Sequence, residues 1–278
     1  MKNGKKIRFL ELHNHYPDDY VNNINSVLGR YCAFGYHDAI SISEVDEMTE
    51  DLGLWNKRSD IVSKKINGTS TMQVISVLFD VENEKKEQNF WNEENDEKYP
   101  YCFFTFIRVG ESGKKEDIGA IIKEINRDFN CMAYYSFEHC EVLCVTRFDR
   151  YRLGIDKVKQ ICQKFSVCKS YTIFAVPEAC LHMVNDSEKE IVNVVMKCNV
   201  KNHVDAENFL EYLEQILKSS NENIIFEKYD MVGQFDIMVL VKGVVMKDIL
   251  PLYAMGRLMT HSNSNYSRAF YNIETSFI

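Results

Sequence analysis

Apolar and polar positions alternate with one recurring order along the chain, and the order is clearest near its end. Val192–Val200 alternates, with Val192, Val194, Met196, Cys198 and Val200 on one face, and predicts a strand. Asp205 offers an N-cap, and Phe209, Leu210, Leu213, Ile216 and Leu217 then follow at helical spacing. Two strands over 224–232 and 236–241 flank a turn at Gly233-Gln234. A second helix over 245–259, entered or kinked at Pro251, leads to a last strand over 268–277. The middle of the chain repeats this order. A strand spans 101–109, and Ile118, Ile121, Ile122, Ile125 and Phe129 form a helical stripe. A hairpin joins 131–137 to 141–147. Ile155, Val158, Ile161, Cys162 and Phe165 form a second stripe, and a strand over 171–176 ends at Pro177. The first copy is more divergent. It has a strand over 7–15, a helix marked by Val21, Ile24, Leu28 and Tyr31, a hairpin of 32–36 with 38–45, helical sequence over 46–67, and a strand over 71–81.

First strands begin near Ile7, Tyr101 and Ile191, steps of 94 and 90 residues. The hairpins also register. Gly35-Tyr36-His37-Asp38-Ala39-Ile40 aligns with Gly233-Gln234-Phe235-Asp236-Ile237-Met238 and with Glu138-His139-Cys140-Glu141-Val142-Leu143, so Asp38, Glu141 and Asp236 share one position. Strand–helix–hairpin–helix–strand is the ferredoxin-like unit. The expectation is an α+β protein of three tandem ferredoxin-like (βαββαβ) repeats. Each would form an antiparallel sheet in the order 4-1-3-2, and at least two sheets would pack face to face. The repeats span 1–81, 101–177 and 191–278, joined by an acidic linker (82–100) and a second linker (178–190).

Composition narrows the function. The 278 residues carry a net charge of −8, and residues 82–98 alone hold seven acids against three lysines. Nucleic-acid binding leans on basic patches, and no dense Lys/Arg run occurs, so a nucleic-acid partner is not expected. No stretch approaches the roughly 18 apolar residues of a membrane helix. Nine cysteines without a CxxC pair, several of them in apolar runs, read as buried thiols of a reducing cytoplasm. The Cys140/Cys144 pair reads as core filling. The basic N-terminal stretch has no apolar segment of secretory length.

The sheet faces differ among the copies. In the middle copy Phe103, Thr105, Ile107 and Val109 share one face of the first strand, and Cys102, Phe104 and Phe106 share the other, so both faces should be covered. In the first copy Leu10, Leu12, Ile40 and Ile42 point one way. Glu11, His13, His15, His37, Ala39, Ser41 and Ser43 point the other. Two readings stand for that polar face: an open, solvated sheet surface, or a ligand or metal pocket where the imidazoles converge. The hairpin acids Asp38, Glu141 and Asp236 likewise read as caps of local backbone N–H groups or as ligand contacts. Phe90-Trp91, two aromatics within the acidic stretch, are suited to dock on a domain or a partner.

Gly233-Gln234-Phe235-Asp236 with the apolar run to Gly243 resembles the hairpin of the ligand-binding domain of leucine-responsive (Lrp/AsnC-type) regulators. Asn272-Ile273-Glu274-Thr275 resembles that family's final strand. Each copy looks like the dimeric α/β-barrel superfamily, in which two such sheets pack face to face. The resemblance implies small-molecule sensing and oligomerisation through sheets. It does not imply DNA binding, because no helix-turn-helix precedes the unit. A non-catalytic, cytoplasmic ligand-sensing or scaffold protein is the expected function, with a small-molecule ligand and a homodimer or protein partner through the unpaired third repeat. No residue set names a cofactor. The competing expectation is an enzyme: a degenerate relative of palm-type nucleotidyl cyclases, with Glu11 and Asp38 near the places of the metal-binding acids, or a dimeric-barrel enzyme.

Overall fold

A computed structural model describes residues 5–13, 27–34, 37, 39–45, 72–109, 118–136, 140–165, 167–180, 190–246, 248–250 and 269–278. The chain is mixed α+β with antiparallel sheets, and it divides into two units: Met1–Ala33 with His37–Cys180, and Phe34–Tyr36 with Leu181–Ile278.

In the first unit eight strands close into a barrel. They are β1 (Lys5–His13), β2 (Val27–Phe34), β3 (Ala39–Val45), β4 (Met72–Asp80), β5 (Tyr101–Val109), β6 (Cys131–Ser136), β7 (Val142–Phe148) and β8 (Val167–Pro177). Their order around the ring is β1-β3-β2-β8-β5-β7-β6-β4. The strands of residues 1–81 thus run β4-β1-β3-β2 and those of 101–177 run β8-β5-β7-β6. Where separate sheets were expected, the strands form one closed ring, with β2 beside β8 and β4 beside β6. Closure gives hydrogen-bond partners to backbone groups that open edges would leave unpaired.

The lumen is a packed core shared by both halves. Leu10, Leu12, Ile40 and Ile42 meet Phe104, Met132, Tyr134, Leu143 and Val145. Outside the barrel, α3 (Ile118–Ile125) and α4 (Tyr151–Lys164) cover the β5–β8 face, where Ile121, Ile122, Ile125 and Ile161 pack on Ile107, Ala133 and Cys144. Contact is closest at Gly154, where a Cβ would lie 1.9 Å from a Phe103 ring carbon. Burial at about 25 cal/mol per Å² of apolar area drives both layers.

The stretch expected as an acidic linker is helical: α1 (Glu84–Phe90) and α2 (Glu93–Lys98). Its two aromatics dock within the same unit. Phe90 and Trp91 join the lumen core, and Trp91 lies 5.9 Å from the Tyr31 ring and 6.4 Å from Phe104, touching strands from both halves. The Trp91 indole N–H donates to Tyr134 Oη at 2.8 Å, and that hydroxyl donates to Glu87 Oε1 at 3.2 Å. Two buried arginines clamp the segment. Arg8 donates from Nε and Nη2 to the two Glu87 oxygens at 3.1 and 2.7 Å. Arg147 donates to the Phe90 carbonyl at 2.6 Å and pairs with Asp96. Burial pushes the Glu87 carboxyl above its ordinary value, against the pull of Arg8.

The second unit is a four-stranded sheet in the order β10-β11-β9-β12, from β9 (Ile191–Val200), β10 (Ile225–Asp230), β11 (Ile237–Val245) and β12 (Phe270–Phe277), with α5 (His203–Ser220). Val192, Val194, Met196 and Cys198 form the buried face of β9, as its alternation predicts. Gly243, at φ +79°, sits where the β9–β11 register shifts, a conformation that favours glycine.

Three local expectations are corrected. Leu28 and Tyr31 lie in β2, not in a helix; a bulge between Val27 and Gly29 lets a strand mimic helical spacing. Val21, Ile24 and the helical sequence over 46–67 lie outside the described residues, as does most of 245–259. Phe129 is 61% exposed in the turn after α3 rather than part of its stripe. The cap of α5 is Asn202, whose side chain accepts from the Val204 and Asp205 N–H groups, not Asp205.

Candidate functional site

The polar face of the first copy is buried. Glu11 is 2% exposed, His13 5% and Ser41 3%. Pairing of β1 with β3 sets Glu11 directly opposite Ser41 and His13 opposite Ala39. Their parity opposes that of Leu10, Leu12, Ile40 and Ile42, so they lie on the outer face of the barrel wall. Ser41 Oγ donates to Glu11 Oε2 at 2.9 Å. His13 Nε2 lies 3.5 Å from Ser41 Oγ and 3.5 Å from Glu11 Oε2. Three side chains able to exchange hydrogen bonds or protons thus meet in a site withdrawn from water, where such contacts count for more than in solvent.

The other copies show that the fold does not require this cluster. Matching the strand registers puts Glu11 in the place of Thr105 and Met196, His13 in that of Ile107 and Cys198, and Ser41 in that of Cys144 and Val239. Two sheets of the same strand order fill these positions with Thr and mostly apolar side chains. The first pays the desolvation of a carboxylate and an imidazole. Ser43 and its counterpart Thr146 each bury a hydroxyl with no hydrogen-bond partner, so that feature does not distinguish the copies.

His37 is also buried, before β3; His15 and Asp38 lie outside the described residues. Among the described residues no group of three or more His, Cys, Asp or Glu is arranged to hold a metal ion. The remaining hairpin acids are placed elsewhere and do local work. Glu141 Oε2 accepts the Val109 N–H at 3.0 Å, and Asp236 Oδ2 accepts the Val200 N–H at 2.7 Å. In both copies the acid also donates its own N–H to the first strand, to Ile107 and Cys198 respectively. It ties the hairpin to the end of that strand.

The residue pattern marks the polar face but not the buried Arg8–Glu87 and Arg147–Asp96 clamps. The available signal was Phe90-Trp91, two large apolar groups that an isolated acidic linker has no means to bury. Seven of the eight described cysteines are buried. Cys102, Cys131 and Cys198 are free, buried thiols whose pKa burial raises to about 12.

No family model, no curated protein and no solved structure matches the chain. Among the described residues no helix is long and apolar enough to cross a membrane.

Proposed function

We propose that the chain consists of three ferredoxin-like units, the first two fused in the manner of the dimeric α/β-barrel superfamily, and that it is a non-catalytic ligand-sensing protein. A small polar molecule is held at Glu11, His13 and Ser41, and the third unit passes the signal to a second copy. The observation that carries this reading is the replacement of Thr105, Ile107 and Cys144 by Glu11, His13 and Ser41 at matching, buried positions. Desolvated ionisable groups cluster at functional sites, which supports binding here. The lumen, filled by Trp91 and Phe104, is not the ligand's place in this reading.

The third sheet supports the choice of partner. The face opposite its buried side carries Ile225 and Tyr229, 51% and 43% exposed, beside half-buried Val195, Met238 and Leu240. Two cross-strand pairs balance its charge, Lys242–Glu227 at 3.0 Å and Lys197–Glu274 at 4.0 Å. A neutral face of mixed sign and apolar centre is self-complementary, as a two-fold dimer requires.

An enzyme reading rests on the Ser41 hydroxyl having two proton acceptors beside it, Glu11 and His13. One experiment separates the two. Thermal unfolding of the full chain is followed against amino acids, short carboxylic acids and nucleotides with Mn²⁺, with sedimentation of the same samples. Expected is a saturable rise in midpoint with one class, absent in His13→Ala and Ser41→Ala. That ligand is recovered unchanged, and a dimer is lost in Leu240→Glu. Ligand turnover abolished by Ser41→Ala, or an equal shift in both variants, overturns the sensing reading.

A further inference from the structure

A cavity lies in the barrel unit between α3 and α4, lined by none of the residues of the Glu11 cluster. Its volume is about 310 Å³, room for roughly ten non-hydrogen atoms at the ~30 Å³ a water molecule occupies. The floor is apolar: Ile125, Ile161, Phe165 and Cys131 are all buried. Cys131 adds no charge, since burial raises its thiol to about 12.

The rim is charged, and its charges do not cancel. Three cations line it, Arg127, Lys157 and Lys164, against two carboxylates, Glu124 and Asp128. Both carboxylates are engaged across the cleft. Glu124 takes Lys164 at 2.5 Å, and Asp128 takes Lys157 on one oxygen and the Asn130 N–H on the other. Lys164 holds the Glu124 carboxyl below its ordinary value. Burial works to raise Asp128, and Lys157 with the Asn130 N–H outweighs it. Arg127 is exposed; it adds a weaker pull on Glu124, and among the described residues it makes no ion pair of its own.

We infer that the cleft between α3 and α4 binds an amphipathic carboxylate of about ten non-hydrogen atoms, with its chain on Ile125, Ile161 and Phe165 and its carboxylate on Arg127. A planar guanidinium donates two parallel hydrogen bonds to a carboxylate, and a cation without an ion pair among the described residues, beside an apolar cleft, selects an anionic head on a greasy tail. The site is independent of the Glu11 cluster.

Octanoate, with ten non-hydrogen atoms, is the probe. Its binding to the full-length protein is measured by isothermal titration, and its position by amide chemical shifts. The expected result is one saturable site, with shifts confined to 118–131 and 157–165. Arg127→Ala should weaken binding about tenfold, as should replacing octanoate by 1-octanol, while His13→Ala leaves it unchanged. Arg127 is exposed, so its removal leaves the fold intact. For the floor, Ile161→Phe narrows the cleft and should weaken octanoate more than hexanoate. Absence of saturable binding, shifts centred elsewhere, or equal affinity in Arg127→Ala overturns the inference.

Discussion

The two halves of the barrel have the same strand order but differ in what their outer faces carry. Behind β5 and β7 the wall is greasy, with Ile107 and Cys144 packed under α3 and α4. Behind β1 and β3 the matching positions hold His13 and Ser41, with Glu11 between them in the same layer. On the lumen side the difference vanishes, and both halves contribute apolar side chains to one core. The shared surface builds the barrel; the unshared one differs between the halves.

The comparison breaks first at the common core. Trp91→Ala removes a side chain that touches both halves and orphans the Tyr134 hydroxyl from its donor. It should cost about 3–5 kcal/mol, read as a lower urea midpoint for the barrel unit. A loss below about 1 kcal/mol would mean that the α1–α2 segment is an ornament on a barrel that stands without it.

Exchanging residues between the outer faces sharpens the contrast. Ile107→His places an imidazole among Ile121, Ile122 and Ile125 and should destabilise by about 2–4 kcal/mol. The reverse exchange, Glu11→Thr with His13→Ile and Ser41→Cys, should leave stability unchanged or raise it by roughly 1 kcal/mol, because replacing buried polar groups with packed apolar ones is often neutral or better. Loss of more than about 2 kcal/mol in the triple variant, in the same urea titration, would make the cluster structural.

The smallest effect tests what the second and third copies share. Glu141→Ala frees the Val109 N–H and should cost about 1 kcal/mol; Asp236→Ala frees the more exposed Val200 N–H and should cost about 0.5 kcal/mol. Faster amide exchange at Val109 and Val200 is the direct readout. Unchanged exchange would remove the capping role.

Much of this was legible from residue order alone. Alternation in VNVVMKCNV and a short apolar run in YCFFTFIRV mark strands, the first covered on one face and the second on both. The hairpin acids were visible as one aligned position, but the choice between capping and ligand contact was not, because the N–H groups they accept from lie 32 and 36 residues away. Glu11, His13 and Ser41 share a face by parity, so their meeting was within reach of the strand pattern, though their burial was not. Leu28 and Tyr31 misled because a bulge shifts the period of a strand toward that of a helix.

Local periodicity, then, set which segments become strands and which faces are polar, since those properties depend on neighbours a few residues away. Closure of the barrel, the docking of Phe90 and Trp91, and the withdrawal of Glu11 and His13 from water were decided only in three dimensions. They rest on contacts such as Arg8 with Glu87, separated by 79 residues. Whether such groups meet is settled by the free energy of the whole packed assembly, not by the pattern around either one.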